Sequence, residues 1–189
     1  AIATGEEVII YRSTGSQPAA EIGKATVTGT SWTFTDTSLA ADGTYIYTAV
    51  VRNNVGENGP ASNAYQVTLD TVAPTSTATI VDYTDNVAPQ EGNFGTGTTT
   101  NDTSPTLNIA VTGAVGTGEV VAVYRDGVKV GNATLVSGSI FSYTDTSLVN
   151  AQSYKYTVRA ADAAGNRGTL SREFTPNVDT APPTQDGQI

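Results

Sequence analysis

The sequence predicts an all-β protein made of tandem β-sandwich domains, arranged end to end. Three observations predict this fold class: the composition, the alternation of apolar residues and an internal repeat. Charged residues account for only 14% of the 189 residues, and Thr, Ser, Asn and Gly supply the remaining polarity, as is typical of strands joined by turns. No window places apolar residues at the 3.6-residue period of an amphipathic helix, so we expect strands and no helices.

The charge and the residue inventory exclude several classes of function. Nine Lys and Arg against 18 Asp and Glu give a net charge of −9, which repels nucleic-acid phosphates and anionic membrane surfaces. The chain contains no Cys or His, which excludes disulfides, thiolate nucleophiles, imidazole bases and the usual zinc sites. No stretch is apolar enough to span a membrane. We therefore predict no nucleic-acid partner and no direct membrane insertion.

An internal repeat sets the size of one module. Phe34–Leu39 recurs as Tyr143–Leu148, and Asp70–Thr75 recurs as Asp179–Thr184, both 109 residues further along the chain. A repeat of about 109 residues has the size of an immunoglobulin-like sandwich. We therefore expect the modules to be immunoglobulin-like or fibronectin-like.

The repeat also predicts the domain boundaries. Gly5–Arg12 matches Gly118–Arg125, so the first copy begins at a point equivalent to residue 114 and has no counterpart of residues 76–113. We expect this copy to expose strand edges and, because the sequence has no Met, we expect the chain to be a piece of a longer protein. The predicted organisation is an incomplete sandwich over 1–70, a linker over 71–75, a complete sandwich over 76–179 and the start of a next linker or domain over 180–189.

The strands of the complete copy follow from the alternation of apolar residues and from turn signals. The dipeptide Asp126-Gly127 predicts a tight hairpin turn. Tyr45 and Tyr154 hold equivalent places in the two copies and are expected to form tyrosine corners, in which the hydroxyl bonds to upstream backbone. The predicted strands are Thr77–Tyr83, Thr106–Val111, Val120–Arg125, Ile140–Thr144, Tyr154–Ala161 and Thr169–Val178.

No catalytic constellation is visible, and we predict that the chain is not an enzyme. The acids lie in turns and linkers rather than as paired carboxylates in a cleft. No serine has a histidine partner, and no Gly-x-Ser-x-Gly elbow occurs. The Gly-rich segment 92–97 lacks the lysine and the following helix of a phosphate-binding loop.

Two groups of acidic and amide residues predict Ca²⁺ sites. Asp70 precedes the first strand of the complete module and Asp162 lies in the turn before its last strand, so we expect the two carboxylates to meet at the junction between modules. Two converging carboxylates repel unless a cation lies between them, and oxygen ligands without nitrogen or sulfur select Ca²⁺. A second group in the long segment after the first strand and in the next linker comprises Asp82, Asp85, Asn101, Asp102 and Asp179.

Other aspartates are expected only to cap turns. Aspartate is short and its side chain bonds readily to backbone two residues further on. We expect this role for Asp36, Asp42, Asp126 and Asp145.

The Asp-Thr-x-Ala-Pro linkers, Tyr-Arg-Asp-Gly, Thr-Asp-Thr-Ser-Leu and Asp-x-Ala-Gly-Asn together resemble bacterial Ig-like repeats. Such repeats form the stalks of giant adhesins and biofilm-associated proteins exported by type I secretion. The resemblance implies sandwiches strung end to end, Ca²⁺ at their junctions and a location outside the cell or on its surface. It also implies neighbouring repeats as partners, with a host-cell or biofilm-matrix ligand elsewhere in the full protein.

The resemblance therefore predicts a rigid stalk repeat that presents a distal adhesive region for host-cell attachment or biofilm formation. Two alternatives remain open from the sequence. One is a sandwich module that binds a glycan or a receptor through its loops or exposed aromatics. The other is a spacer domain of a secreted multidomain enzyme.

Overall fold

The computed structural model describes residues 2–15 and 17–183 and divides the chain into two compact units, Ala1–Val72 and Ala73–Ile189. The division falls within the predicted linker 71–75, and the other predicted boundaries stay predictions. The end of the predicted segment 180–189 lies outside the described residues. Every element described is a strand, which confirms the all-β prediction. None of the described residues forms a helix long and apolar enough to cross a membrane.

Within its described residues, the first unit contains six strands: β1 Glu7–Thr14, β2 Ala20–Lys24, β3 Thr26–Thr28, β4 Ser31–Thr33, β5 Gly43–Arg52 and β6 Tyr65–Leu69. Four of them form an antiparallel sheet in the order β2-β1-β5-β6, and β3 pairs with β4 in a separate hairpin. The buried apolar residues come mainly from the two central strands: Val8, Ile9, Ile10, Tyr45 and Val50.

Within its described residues, the second unit contains ten strands: β7 Thr77–Asp85, β8 Gly92–Phe94, β9 Thr99–Thr100, β10 Thr106–Thr112, β11 Val120–Arg125, β12 Val128–Ser137, β13 Ile140–Thr144, β14 Gln152–Ser153, β15 Tyr156–Ala161 and β16 Asn177–Val178. Seven strands form one antiparallel sheet in the order β15-β11-β12-β13-β10-β7-β8. A small second sheet has the order β14-β16-β9.

Strand β12 joins the two layers of this sandwich because it changes partner halfway along. Its residues 128–133 pair with β11, and its residues 134–137 pair with β13. The long sheet therefore folds over on itself, and β7 contacts β15 across the core although the two strands are far apart in the sheet order.

Apolar side chains of both layers fill the space between them. Alternate residues of β10 and β15 point inward, and Tyr83 of β7 meets the ring of Phe174 edge-on at 6.2 Å. Because strand side chains alternate between faces, the predicted alternation and the observed core coincide. The inward residues of these two strands are Leu107, Ile109, Val111, Tyr156, Val158 and Ala160.

Some predicted strands are confirmed and others need correction. Val120–Arg125 and Ile140–Thr144 match the structure residue for residue, whereas β12 was not predicted. The predicted strand 169–178 is regular only at Asn177–Val178. Backbone amides of this segment donate to carbonyls of β15, with residues 168, 171 and 174 bonded to residues 160, 158 and 156. The segment therefore uses three residues for every two residues of β15. The extra residues act as bulges that break the ladder.

The hairpin turn and both tyrosine corners are confirmed. Asp126 and Gly127 have φ values of 51° and 80°, the positive values that a two-residue hairpin turn of this kind requires. The Tyr45 hydroxyl donates to the Ala41 carbonyl at 2.6 Å. In the second unit the Tyr154 hydroxyl instead accepts from the Val149 amide at 2.8 Å.

Candidate metal site and a repeated ion-pair network

The long segment between β7 and β10 is held by backbone pairing rather than left as a free loop. Strand β8 returns antiparallel along β7, and β9 pairs in parallel with β16. The Asp179 amide extends this pairing by donating to the Thr100 carbonyl at 2.9 Å. The segment and the following linker are therefore brought together at one end of the second unit.

The Asp85 carboxylate and the Asp102 backbone amide, both of the second predicted group, meet at a buried hydroxyl. Asp85 and Asp102 are only 2% and 1% exposed, and Thr100 is also buried. The Thr100 hydroxyl donates to Asp85 Oδ2 at 2.5 Å and accepts from the Asp102 amide at 2.9 Å. The structure thus brings two acidic residues of one segment to the same hydroxyl oxygen inside the module.

One oxygen of this cluster lacks a partner. Asp85 Oδ1 accepts from the Val87 amide at 2.8 Å, and Asp102 Oδ1 accepts from the Ser104 amide at 2.7 Å. Asp102 Oδ2 is buried with no hydrogen-bond partner. Among the described residues, every ion pair involves acids other than these two. Burying a carboxylate without a partner is costly unless a cation compensates it.

The other members of this group are placed differently. Asn101 donates to the Ala88 carbonyl at 2.8 Å, and Asp179 accepts from the Ala181 amide at 3.0 Å in an exposed turn. Asp82 lies on the face of β7 opposite to Asp85 and accepts from Asn108 at 2.6 Å. The structure therefore does not bring Asp82 to the buried pair.

The ligand count limits what this site can hold. In the part of the chain that the structure describes, no group of three or more acidic side chains could hold a metal ion. Two carboxylates supply part of a Ca²⁺ shell, and hydroxyl, carbonyl and water oxygens have to supply the rest. We call Asp85, Thr100 and Asp102 the buried acidic cluster.

The first predicted group is divided between the two units. Asp70 accepts from the Val72 amide at 3.1 Å in the first unit. In the second unit, Asp162 accepts from the amide and the side chain of Asn166, both at 2.9 Å. Desolvation alone would raise the pKa of the Asp162 carboxyl, but the bonds from Asn166 lower the pKa below its usual value. A meeting of Asp70 with Asp162 stays a prediction.

A buried ion-pair network was missed by the sequence reasoning. Arg125 Nη1 lies 2.9 and 2.8 Å from the two oxygens of the buried Asp145. The Tyr156 hydroxyl donates to Asp145 Oδ2 at 2.8 Å. Both the amide and the hydroxyl of Ser147 donate to Asp145 Oδ1. Desolvation would raise the pKa of the Asp145 carboxyl, but these hydrogen bonds and the Arg125 charge lower it.

The same network occurs in the first unit. Arg12 Nη1 lies 2.6 Å from Asp36 Oδ2, and the Tyr47 hydroxyl donates to the same oxygen at 2.8 Å. Ser38 donates to Asp36 Oδ1 through both its amide and its hydroxyl. Desolvation alone would raise the pKa of the Asp36 carboxyl, but these hydrogen bonds together hold it well below its usual range. The network is thus a repeated structural feature and has no catalytic geometry.

The turn-capping predictions are confirmed in two cases and wrong in two. Asp36 and Asp145 do accept from the amide two residues on. Asp42 instead accepts from Thr71, and Asp126 accepts from the Lys155 amide. These two carboxylates tie turns to segments that are distant in sequence, which a local pattern does not reveal.

The two-layered packing of the second unit and its tyrosine corner are those of an immunoglobulin-like β-sandwich. Residues 77–180 match the bacterial Ig-like domain family, and the chain belongs to that family. The bacterial Ig-like part of the resemblance is thereby confirmed, whereas its adhesin and biofilm setting is not.

The chain is also similar to exoglucanase B of Cellulomonas fimi. The two are 37% identical over 158 residues, which is 80% of this chain and 13% of the exoglucanase. The aligned stretch is longer than the second unit, so it includes residues of both units. The chain therefore spans a small part of that relative's length.

Proposed function

We propose that the chain is a non-catalytic spacer of a longer extracellular protein, in which immunoglobulin-like modules hold other domains apart. The observation that carries this proposal is the similarity of both units to a stretch that makes up only 13% of exoglucanase B. In that relative the corresponding modules accompany a much larger remainder. This favours the spacer of a secreted multidomain enzyme as the setting.

A stalk repeat of a bacterial surface adhesin is the second candidate. The 109-residue repeat, with Asp-Thr at the start of both linker segments, supports it. In this setting the partners are neighbouring repeats of the same chain, and the adhesive ligand is bound elsewhere. The physical task, keeping flanking domains at a distance, is the same in both settings.

Excision from the longer protein tests the spacer role. Removing both units should shorten the maximum dimension of that protein in solution scattering and leave the intrinsic activity of each flanking domain unchanged. Replacing them with a flexible Gly/Ser segment of equal residue number should restore the chain length without restoring a fixed separation. Loss of the flanking domain's own turnover on a small soluble substrate would contradict a purely spacing role.

We further propose that the buried acidic cluster binds Ca²⁺. The unpartnered Asp102 Oδ2 and the purely oxygen donor set fit a hard cation. Asp85 and Asp102 would hold the ion, and its charge would offset the cost of burying two carboxylates. Asp70 and Asp162 remain the proposed ligands at the junction between modules.

Calcium calorimetry with isosteric variants tests the buried cluster. The wild-type chain should bind Ca²⁺ with a dissociation constant of about 10⁻⁴–10⁻³ M, the range of extracellular modules. Asp102→Asn keeps the shape and the Oδ1 acceptor but removes the charge, so it should abolish this binding phase. Asp126→Asn, in an exposed turn, is the matched control and should bind as the wild type does.

A second readout keeps this test independent of folding defects. Ca²⁺ at ten times its dissociation constant should stabilise the wild-type second unit by about 1.4 kcal/mol. Asp102→Asn should fold and melt normally without calcium, yet lose the part of the calcium shift that the buried acidic cluster supplies. Equal calcium shifts in the variant and the wild type would refute the assignment.

A further inference from the structure

In each unit, a side chain in the turn before the tyrosine-corner residue accepts a hydrogen bond from the linker segment that follows. In the first unit, the Thr71 amide donates to Asp42 Oδ2 at 3.0 Å, and the Thr71 hydroxyl donates to Asp42 Oδ1 at 2.9 Å. In the second unit, the Thr180 amide donates to Asn150 Oδ1 at 2.7 Å. Thr71 and Thr180 lie 109 residues apart, so the equivalent linker residue is held in both units.

The tyrosine corner holds the turn that carries the accepting side chain. The Tyr45 hydroxyl donates at 2.6 Å to the carbonyl of the residue directly before Asp42. The Tyr154 hydroxyl accepts at 2.8 Å from the amide of the residue directly before Asn150. Both tyrosines are buried, and a packed ring has little freedom to move. Each corner therefore keeps its turn, and with it the acceptor, at a set place beside the linker.

The bonds to Asp42 attach the chain to the first unit beyond the end of its last strand. The ladder between β5 and β6 ends with the pair of Gly43 and Leu69, and Thr71 is held two residues further on. The attachment of the linker to the first unit therefore extends past the sheet and into the segment 71–75.

The other end of this linker is held by the second unit. Pro74 is buried, and its ring fixes one backbone torsion. A Cβ on Gly168 would lie only 2.9 Å from the Pro74 carbonyl oxygen, so the linker packs closely on the turn before the last segment of that unit. Between the two points of attachment lie only Val72 and Ala73.

We propose that Asp42 and Asn150 are positioning residues that fix the direction in which the linker leaves each unit. Bending within the linker 71–75 is then confined to Val72 and Ala73. The inference rests on the proposed spacer role for its purpose, because a spacer maintains a separation only if the chain leaves each module in a set direction. The restraint uses bonds within one unit and no cation, so it should persist without Ca²⁺.

Distances between two spin labels on the isolated chain, measured in excess chelator, test this proposal. The chain contains no Cys, so labels can be attached to exposed positions of the two units through Val55→Cys and Val81→Cys. Asp42→Ala should broaden the distribution of label distances, because it releases Thr71. Asp42→Asn should keep the wild-type width, since its amide oxygen can accept from the Thr71 amide as Asn150 does from its own linker.

Two further measurements separate a restrained linker from a merely stabilised turn. Hydrogen exchange of the Thr71 amide should be about fivefold faster in Asp42→Ala than in the wild type, as the loss of one exposed hydrogen bond implies. Thr71→Val removes the hydroxyl bond from the linker side and should give an intermediate width. Circular dichroism should show the same strand content in each variant, because Asp42 and Thr71 are both exposed.

Asp126→Ala is the matched control. Asp126 also joins a turn to a distant segment, through the Lys155 amide, but lies outside the linker, so this variant should leave the width unchanged. Equal widths for Asp42→Ala and the wild type overturn the proposal, and so does an equal broadening by Asp126→Ala. Either result leaves the spacer role standing, since excision from the longer protein tests that role separately.

Discussion

At the scale of residues, the most informative feature is an ion-pair network that occurs once in each unit. Arg125, Asp145 and Tyr156 form it in the second unit, and Arg12 and Asp36 form its counterpart in the first. The carboxylate accepts from a guanidinium, a phenol and a serine, and these charge-assisted bonds compensate its burial. Removing the Asp145 carboxylate leaves the fully buried Tyr156 hydroxyl without its acceptor.

Acid should weaken this network in a defined pH range. The folded-state pKa of Asp145 lies below its unfolded value of about 3.9, so the unfolded state binds more protons between the two values. The stabilisation is almost complete above about pH 5 and is lost as the pH falls through the unfolded value towards the folded-state pKa. Urea unfolding midpoints measured from pH 6 downwards should therefore fall in this range.

The variant Asp145→Asn tests the origin of this slope. It should lower the free energy of unfolding at pH 7 by about 1–3 kcal/mol, because Arg125 and Tyr156 lose a charged acceptor. It should also flatten the dependence of the unfolding midpoint below pH 4. An unchanged slope in the variant would show that other groups control acid stability.

The sequence contains these residues but does not show that they bond to one another. Arg, Asp and Tyr recur at equivalent places in both copies, and this recurrence is the signal that could have identified the network. Local reasoning assigned Asp36 and Asp145 to turn caps, which is correct but incomplete, since the arginine lies on another strand. Likewise, the sequence placed Asp85 and Asp102 in one segment, but only the fold shows that Asp82 faces away.

At the scale of elements, a strand could be predicted where its apolar residues alternate regularly and a turn signal marks its end. Strand β11 ends at a turn with strong sequence preference and was predicted in full. Strand β12 was missed because it changes partner midway, and its mainly exposed residues show no single alternation. Residues 169–178 look like a strand in sequence, but their bulges depend on the register with β15.

The hairpin between β11 and β12 should depend on a glycine. Gly127 has a φ of +80°, a backbone conformation that is strained for any residue with a Cβ. No neighbouring atom adds to this strain, because none lies within 4 Å of the position that a Cβ would take. Gly127→Ala should therefore lower the free energy of unfolding by about 1–2 kcal/mol. Gly95 also has open space around it but has no positive φ.

Gly95→Ala is accordingly the matched control and should leave the stability almost unchanged. Thermal or urea unfolding of both variants measures the difference. Equal stability of the two variants would contradict the assigned turn conformation.

At the scale of the whole molecule, the chain consists of two related units, for which we propose a spacer role. The repeat and the composition were enough to predict the fold class, and the linker and turn motifs carried the resemblance to the family. They did not distinguish an enzyme spacer from an adhesin stalk, because both settings need the same stable, non-catalytic modules. The proposed calcium ligands Asp70 and Asp162 lie in different units, so their role is a property of the whole chain.

Small-angle scattering of the chain with and without calcium tests whether Ca²⁺ fixes the two modules relative to each other. If Ca²⁺ fixes the two modules as a spacer, the profile in millimolar calcium should differ from that in excess chelator. Circular dichroism should show the same strand content in both conditions, because each sandwich stays folded. Superimposable scattering profiles, together with no calcium heat in calorimetry, would contradict a calcium-stiffened spacer.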